Sequence, residues 1–217
     1  MPFEAYTRRS LLLGAAGAWS TTLGQDLSSG SRVRGRFDLE RFVEDVRRAS
    51  AGGDAQAAVE ELLQRVVDRP RAVMSDLGEP AEAGIHTIYR GQDVTILNVV
   101  WAPLMVLLPH NHNIWASIGI YTGREDNILW ERESGRVTAV GAASLSEGQV
   151  FGLPPDAIHS VTNPIGRLTG AIHIYGGDFF APGRSEWDAD TLRERAFDLD
   201  SAREDFRKAA ERYEAVP

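Results

Sequence analysis

The chain has 217 residues, 43% of them hydrophobic and 25% charged, a balance that fills a globular core and excludes wholesale disorder. Its 31 acidic residues outnumber 23 basic ones, giving a net charge of −8, and no basic block is long enough to track a phosphate backbone, which argues against a nucleic-acid partner. Cysteine is absent, so disulfides, thiolate metal sites and cysteine nucleophiles are excluded, and any metal must be held by His, carboxylate or backbone oxygen.

The first 35 residues read as an address and a joint. Arg8 and Arg9 precede the apolar run Leu11–Ala18, which is too short to span a bilayer. The pattern resembles a twin-arginine export leader, with a cut after Gly24 and a mature start near Gln25. Glu4, Trp19 and the lack of an Ala-x-Ala pair at a sensible distance depart from it. Export by the twin-arginine route and retention in the cytoplasm are left equally open, and no stable membrane anchor is expected. Ser28–Ser31 is a flexible joint.

Residues 36–217 are expected to form one domain. Asp38 caps an amphipathic stretch with Leu39, Phe42, Val43 and Val46 at helical spacing, and Asp54 opens a second with Val59, Leu62, Leu63, Val66 and Val67 on one side. Pro70 ends this helical region, which covers residues 38–69. From about 85 to 176 the texture becomes short β-rich runs: 85–90, 94–101, 104–108, 115–121, 128–132, 137–145, 149–153, 158–163 and 168–175. Turn residues separate them, among them Gly123-Arg124-Glu125-Asp126-Asn127. Many short strands with regular turns predict a sandwich or small barrel. The extension 177–217 reads as loop, then as a charged outer helix from Ser201 to about Val216.

The chemistry sits on histidines. His110 and His112 bracket Asn111 after an apolar run, and in a strand side chains at i and i+2 share a face. Two such imidazoles reach one ion, and His159, after a proline turn, supplies a third ligand. Pairing 158–163 with 168–175 as a hairpin centred near residue 166 would set His173 opposite His159, with Tyr175 on the same face. His173 and Tyr175 would then either lean toward the ion or form a buried hydrogen bond with no chemical role. Trp101, Trp115, Tyr121 and Phe151 are candidate pocket walls or ordinary core.

These residues resemble a cupin, a mainly β metal barrel of the double-stranded β-helix type, here with an N-terminal helical pair and a C-terminal helix. The first motif is Pro109-His110-Asn111-His112, and the second runs from Gly148 through Pro154-Pro155-Asp156 to His159 and Asn163. Where family members often carry a Glu ligand, Trp115, Ala116 and Ser117 stand instead. Within the cupins, the three-His set with a closing His-x-Tyr is similar to the cysteine dioxygenase-like thiol dioxygenases. That resemblance implies Fe(II), a small thiol carboxylate such as cysteine or 3-mercaptopropionate, O2 as co-substrate and a sulfinate product. It implies metal ligands His110, His112 and His159, and catalytic roles for His173 and Tyr175. Substrate contacts would come from Arg90, with Arg124 in reserve, and from Trp115. The family's Ser-His-Tyr relay is broken at Ala171, and its Cys–Tyr crosslink cannot form. The alternatives are a cupin holding Zn, Ni or Mn with different chemistry, and a non-enzymatic cupin that binds a small molecule.

Overall fold

The computed structural model describes residues 37–181 and 183–214; the leader-like segment lies outside them. Phe37–Pro217 forms one compact unit. Three helices come first: α1 Leu39–Ser50, α2 Ala55–Val67 and α3 Pro70–Leu77. Asp38 caps α1 by accepting a 3.0 Å hydrogen bond from Arg41 N. Pro70 does more than end α2. It occupies the first turn of α3, where its missing N–H costs nothing, and so starts a helix that the sequence reading did not include.

Eleven described strands follow: β1 Gly84–Arg90, β2 Thr95–Trp101, β3 Val106–Asn111, β4 Ala116–Thr122, β5 Arg124–Glu133, β6 Arg136–Ser146, β7 Val150–Leu153, β8 Ile158–Thr162, β9 Thr169–Tyr175, β10 Ser185–Trp187 and β11 Glu194–Ala196. Helix α4, Leu199–Glu214, closes the described chain. One sheet has the order β1-β2-β9-β4-β7, the other β11-β10-β3-β8-β5-β6, and all their pairings are antiparallel. From β2 to β9 the chain crosses between the sheets at every step except β5 to β6, which pair as a hairpin within the second sheet, as in a double-stranded β-helix. The fold is therefore mainly β, with helices at both ends.

The faces explain the burial. Helices α1–α3 cover the outside of the first sheet, so β4 and β9 are buried on both faces throughout. Gly119 on β4 allows the close approach of α2: a Cβ there would meet Leu63 at 2.7 Å and Val67 at 2.9 Å. Among the described residues no helix is long and apolar enough to cross a membrane.

Two local expectations are corrected. Residues 158–163 and 168–175 do not pair as a hairpin: β8 pairs with β3 and β5, while β9 pairs with β2 and β4 in the other sheet. Asn163 fixes that crossover. Its Nδ2 donates to the carbonyls of Trp101, Ala102 and Arg167, and its Oδ1 accepts from Ile165 N and Thr169 Oγ1. The second correction is that Arg124–Asn127 is not a turn but the start of β5, and the reversal is confined to Gly123 at φ 87°. Only glycine fits there, because a Cβ would fall 2.3 Å from Thr169 Oγ1.

Candidate metal centre

His110 and His159 sit directly opposite each other where β3 pairs with β8, and His112 follows at the end of β3. The β3–β8 register shifts between Leu107 and His110, an irregularity of the kind that re-aims side chains at the rim of a barrel. One ring nitrogen from each of the three lies within 4.8 Å of the others, and all three residues are buried. Among the described residues no carboxylate joins this cluster.

The spare nitrogens of His110 and His159 have partners. His110 Nδ1 lies 2.8 Å from Leu108 O, and His159 Nδ1 lies 2.6 Å from Asn127 Oδ1. His159 Nε2 is buried with no hydrogen-bond partner, a position that is costly unless something accepts its lone pair. Burial lowers the pKa of all three. His110 falls to about 4 against the partial support of Leu108 O, and His112 and His159 are held well below 6.5 by burial first and by neighbouring imidazoles second. Neutral imidazoles are what a metal needs, so the donor set, its spacing and its orphaned nitrogen fit a divalent ion.

His173 and Tyr175 on β9 face the cluster from the opposite sheet. His173 Nδ1 is 3.2 Å from Tyr175 Oη, and the Tyr175 ring stands edge-on to His112 with centroids 4.9 Å apart. Burial raises the Tyr175 hydroxyl pKa well above its usual value. The space between the sheets is a small cavity of about 30 Å³, lined by these five side chains and by apolar groups including Leu97, Trp101 and Val161. Phe197, Ala202 and Phe206, from the C-terminal segment, cover it.

The other sequence candidates lie elsewhere. Arg90 is exposed, pairs through Nε and Nη2 with Asp178 at 2.9 and 2.8 Å, and does not line the cavity. Arg124 makes the same two-pronged pair with Asp126. Trp115 packs against the helices and over Gly176, and Tyr121 and Phe151 are core; of the four aromatic wall candidates only Trp101 reaches the cavity.

Two residues were not found from sequence. Arg184 precedes β10, which pairs with β3 through Glu186 and His110, so antiparallel register brings Arg184 alongside His112. Its guanidinium is buried between the Phe179 and Phe197 rings, 4.3 and 4.2 Å from their centroids; these two rings line the cavity and Arg184 itself does not, and Nη1 has no hydrogen-bond partner. Burial lowers its pKa, and its charge in turn depresses those of His110 and His112. The second is Glu125, fully buried on β5. It accepts from Trp101 Nε1 at 2.8 Å and Asn127 Nδ2 at 3.0 Å, and Oε2 lies 3.3 Å from His173 Nε2. Arg184 fell in a stretch read as loop and Glu125 in one read as turn.

No family model matches the chain. Similar solved structures include an RmlC-like cupin family protein with a double-stranded β-helix fold from Methanocaldococcus jannaschii, at 13% identity and TM-score 0.37 over 46% of this chain and 85% of that one. A protein with a double-stranded β-helix domain from Klebsiella pneumoniae is 14% identical at TM-score 0.39, over 52% of this chain and 87% of that one. An oxalate oxidase in complex with glycolate is 16% identical at TM-score 0.36, over 42% of this chain and 45% of that one. These neighbours are cupins, but likeness at this level carries no argument about activity. The fold stands on its own strand order, and the function must be argued from the site.

Proposed function

We propose that the chain is a non-haem iron thiol dioxygenase that converts a small thiol carboxylate and O2 to the sulfinate. The observation that supports this best is an all-imidazole cluster beside a buried guanidinium with an unpartnered nitrogen. With no carboxylate in the cluster, a divalent ion keeps its full charge and favours an anionic sulfur ligand.

His110, His112 and His159 would hold the iron, which supplies a centre where thiolate and O2 meet. In balance, RSH and O2 give RSO2− and H+: both oxygen atoms end on sulfur, which loses four electrons to O2, so no further reductant is needed. Arg184, not Arg90, is the anchor for the substrate carboxylate, because a planar fork with a free Nη1 matches a carboxylate and Arg90 is already taken by Asp178. His173 Nδ1 and Tyr175 Oη share a hydrogen bond that would hold the hydroxyl in place, and the Tyr175 ring stands against His112. Phe179, Phe197 and Phe206 keep bulk water out, which strengthens each of these polar contacts.

The test is thiol binding to iron-loaded protein, read from the spectrum of its nitric oxide adduct under anaerobic conditions. Addition of 3-mercaptopropionate or cysteine should change that spectrum in the unmodified chain. Tyr175→Phe should keep the change but lower turnover, since it removes only the hydroxyl. An adduct spectrum indifferent to every thiol carboxylate would overturn the proposal.

A further inference from the structure

We propose that Glu125 is a positioning residue that sets the tautomer of the metal ligand His159, acting through Asn127. The inference deepens the metal-centre reading above and does not depend on the identity of the substrate.

Hydrogen-bond polarity runs one way along this chain of contacts. The Trp101 indole N–H can only donate, so Glu125 Oε2, 2.8 Å away, must accept. The other carboxyl oxygen, Oε1, faces Asn127 at 3.0 Å and accepts from its Nδ2. That orients the Asn127 amide and presents Oδ1 to His159 Nδ1 at 2.6 Å. An amide oxygen cannot donate, so the His159 proton sits on Nδ1. Nε2 is left as a bare lone pair, and this is the nitrogen found buried without a partner. The network polarity sets the tautomer, and the absence of a hydrogen-bond partner at Nε2 leaves that lone pair free for a metal. Glu125, Asn127 and His159 are all buried, with 0%, 0% and 1% of their surface exposed, so water is not at hand to substitute for a missing partner.

Replacing one group by its isostere should reverse the chain. In Glu125→Gln, the Trp101 N–H still demands an acceptor, so the new amide nitrogen faces Asn127. Asn127 must then turn its oxygen toward Gln and its Nδ2 toward His159, which moves the ring proton to Nε2 and blocks the ligating lone pair. Adding Asn127→Asp restores the original polarity: the Gln amide donates to Asp, and Asp accepts from His159 Nδ1–H. Net charge is the same as in the unmodified chain.

The experiment compares the full-length chain, Glu125→Gln and Glu125→Gln/Asn127→Asp. Imidazole 15N NMR of the metal-free protein reads the His159 tautomer, and competition titration with Zn(II) reads metal affinity. The expected result is an Nδ1–H tautomer in the unmodified chain and an Nε2–H tautomer with about 10- to 100-fold weaker Zn(II) binding in the single variant. The double variant should return both to near the starting values. An Nε2–H tautomer in the unmodified chain overturns the inference even if the single variant does not fold. So does a folded single variant with unchanged tautomer and affinity, or a folded double variant that restores neither. Neither readout uses thiol or O2, so failure of the dioxygenase proposal would be seen separately.

Discussion

At the residue scale, the two arginines make opposite predictions. Arg184→Ala should raise the apparent KM for a thiol carboxylate by about tenfold or more, since a hydrogen bond to a charged group in a buried site is worth about 1.5–3 kcal/mol. Arg90→Ala should leave KM within about twofold, because the exposed Arg90 is already paired with Asp178. Steady-state kinetics on the two variants checks both. The clustered histidines also predict a pH response of the metal-free protein. His110 has a folded pKa of about 4 against an ordinary 6.5, with His112 and His159 shifted the same way. As pH falls below 6.5, the unfolded chain takes up these protons first. Stability is therefore fully present above pH 6.5 and is lost progressively as pH drops toward 4. Denaturant melts of metal-free protein at pH 7, 5.5 and 4.5 would read the slope, and equal stability at all three would contradict it.

At the element scale, what could be read from sequence was set by pattern strength. The two long helices, the runs of strand and the His-x-His at the end of β3 announce themselves through period and composition. Glu125 and Arg184 do not. Gly123–Asn127 carries Gly123, Asp126 and Asn127, residue types common in turns, yet only Gly123 turns; pairing with β6 and β8 extends the rest as strand and points Glu125 into the core. The hairpin centred on residue 166 was a fair local guess overridden by tertiary pairing, and no feature of the two segments names the sheet each joins. His173 still reaches the centre, but from the facing sheet. Helix α4 was expected as an outer, mostly charged element, and its charges do pair along its own surface, Arg203 with Asp200 and Arg207 with Glu204 and Glu211. Its attachment to the barrel is apolar. Ala202, Phe206 and Ala209 are buried, and Phe206 stacks on Trp101 with centroids 5.0 Å apart. Phe206→Ala should lower stability by about 3 kcal/mol or more and speed hydrogen exchange along α4. Unchanged exchange there would mean that Phe206 does not hold the cover.

At the scale of the whole molecule, the barrel gathers three histidines from β8 and from the end of the adjacent β3, a His–Tyr pair from the facing sheet, and a cover from Phe197, Ala202 and Phe206. Such a centre cannot exist in the unfolded chain, so metal binding should stabilise the fold by about 2.7 kcal/mol at a free concentration 100 times Kd. A rise in melting temperature with Zn(II) or Fe(II), abolished in His112→Ala, would follow. The central claim is that the centre joins both atoms of O2 to a substrate sulfur. The most direct measurement loads the full chain with Fe(II) under anaerobic conditions, then adds 18O2 and 3-mercaptopropionate or cysteine, and follows O2 uptake and product mass. The account predicts thiol-dependent uptake with one sulfinate formed per O2 and both oxygens labelled. Iron-loaded protein that takes up no O2 with either thiol, or a product labelled in one oxygen only, would contradict it.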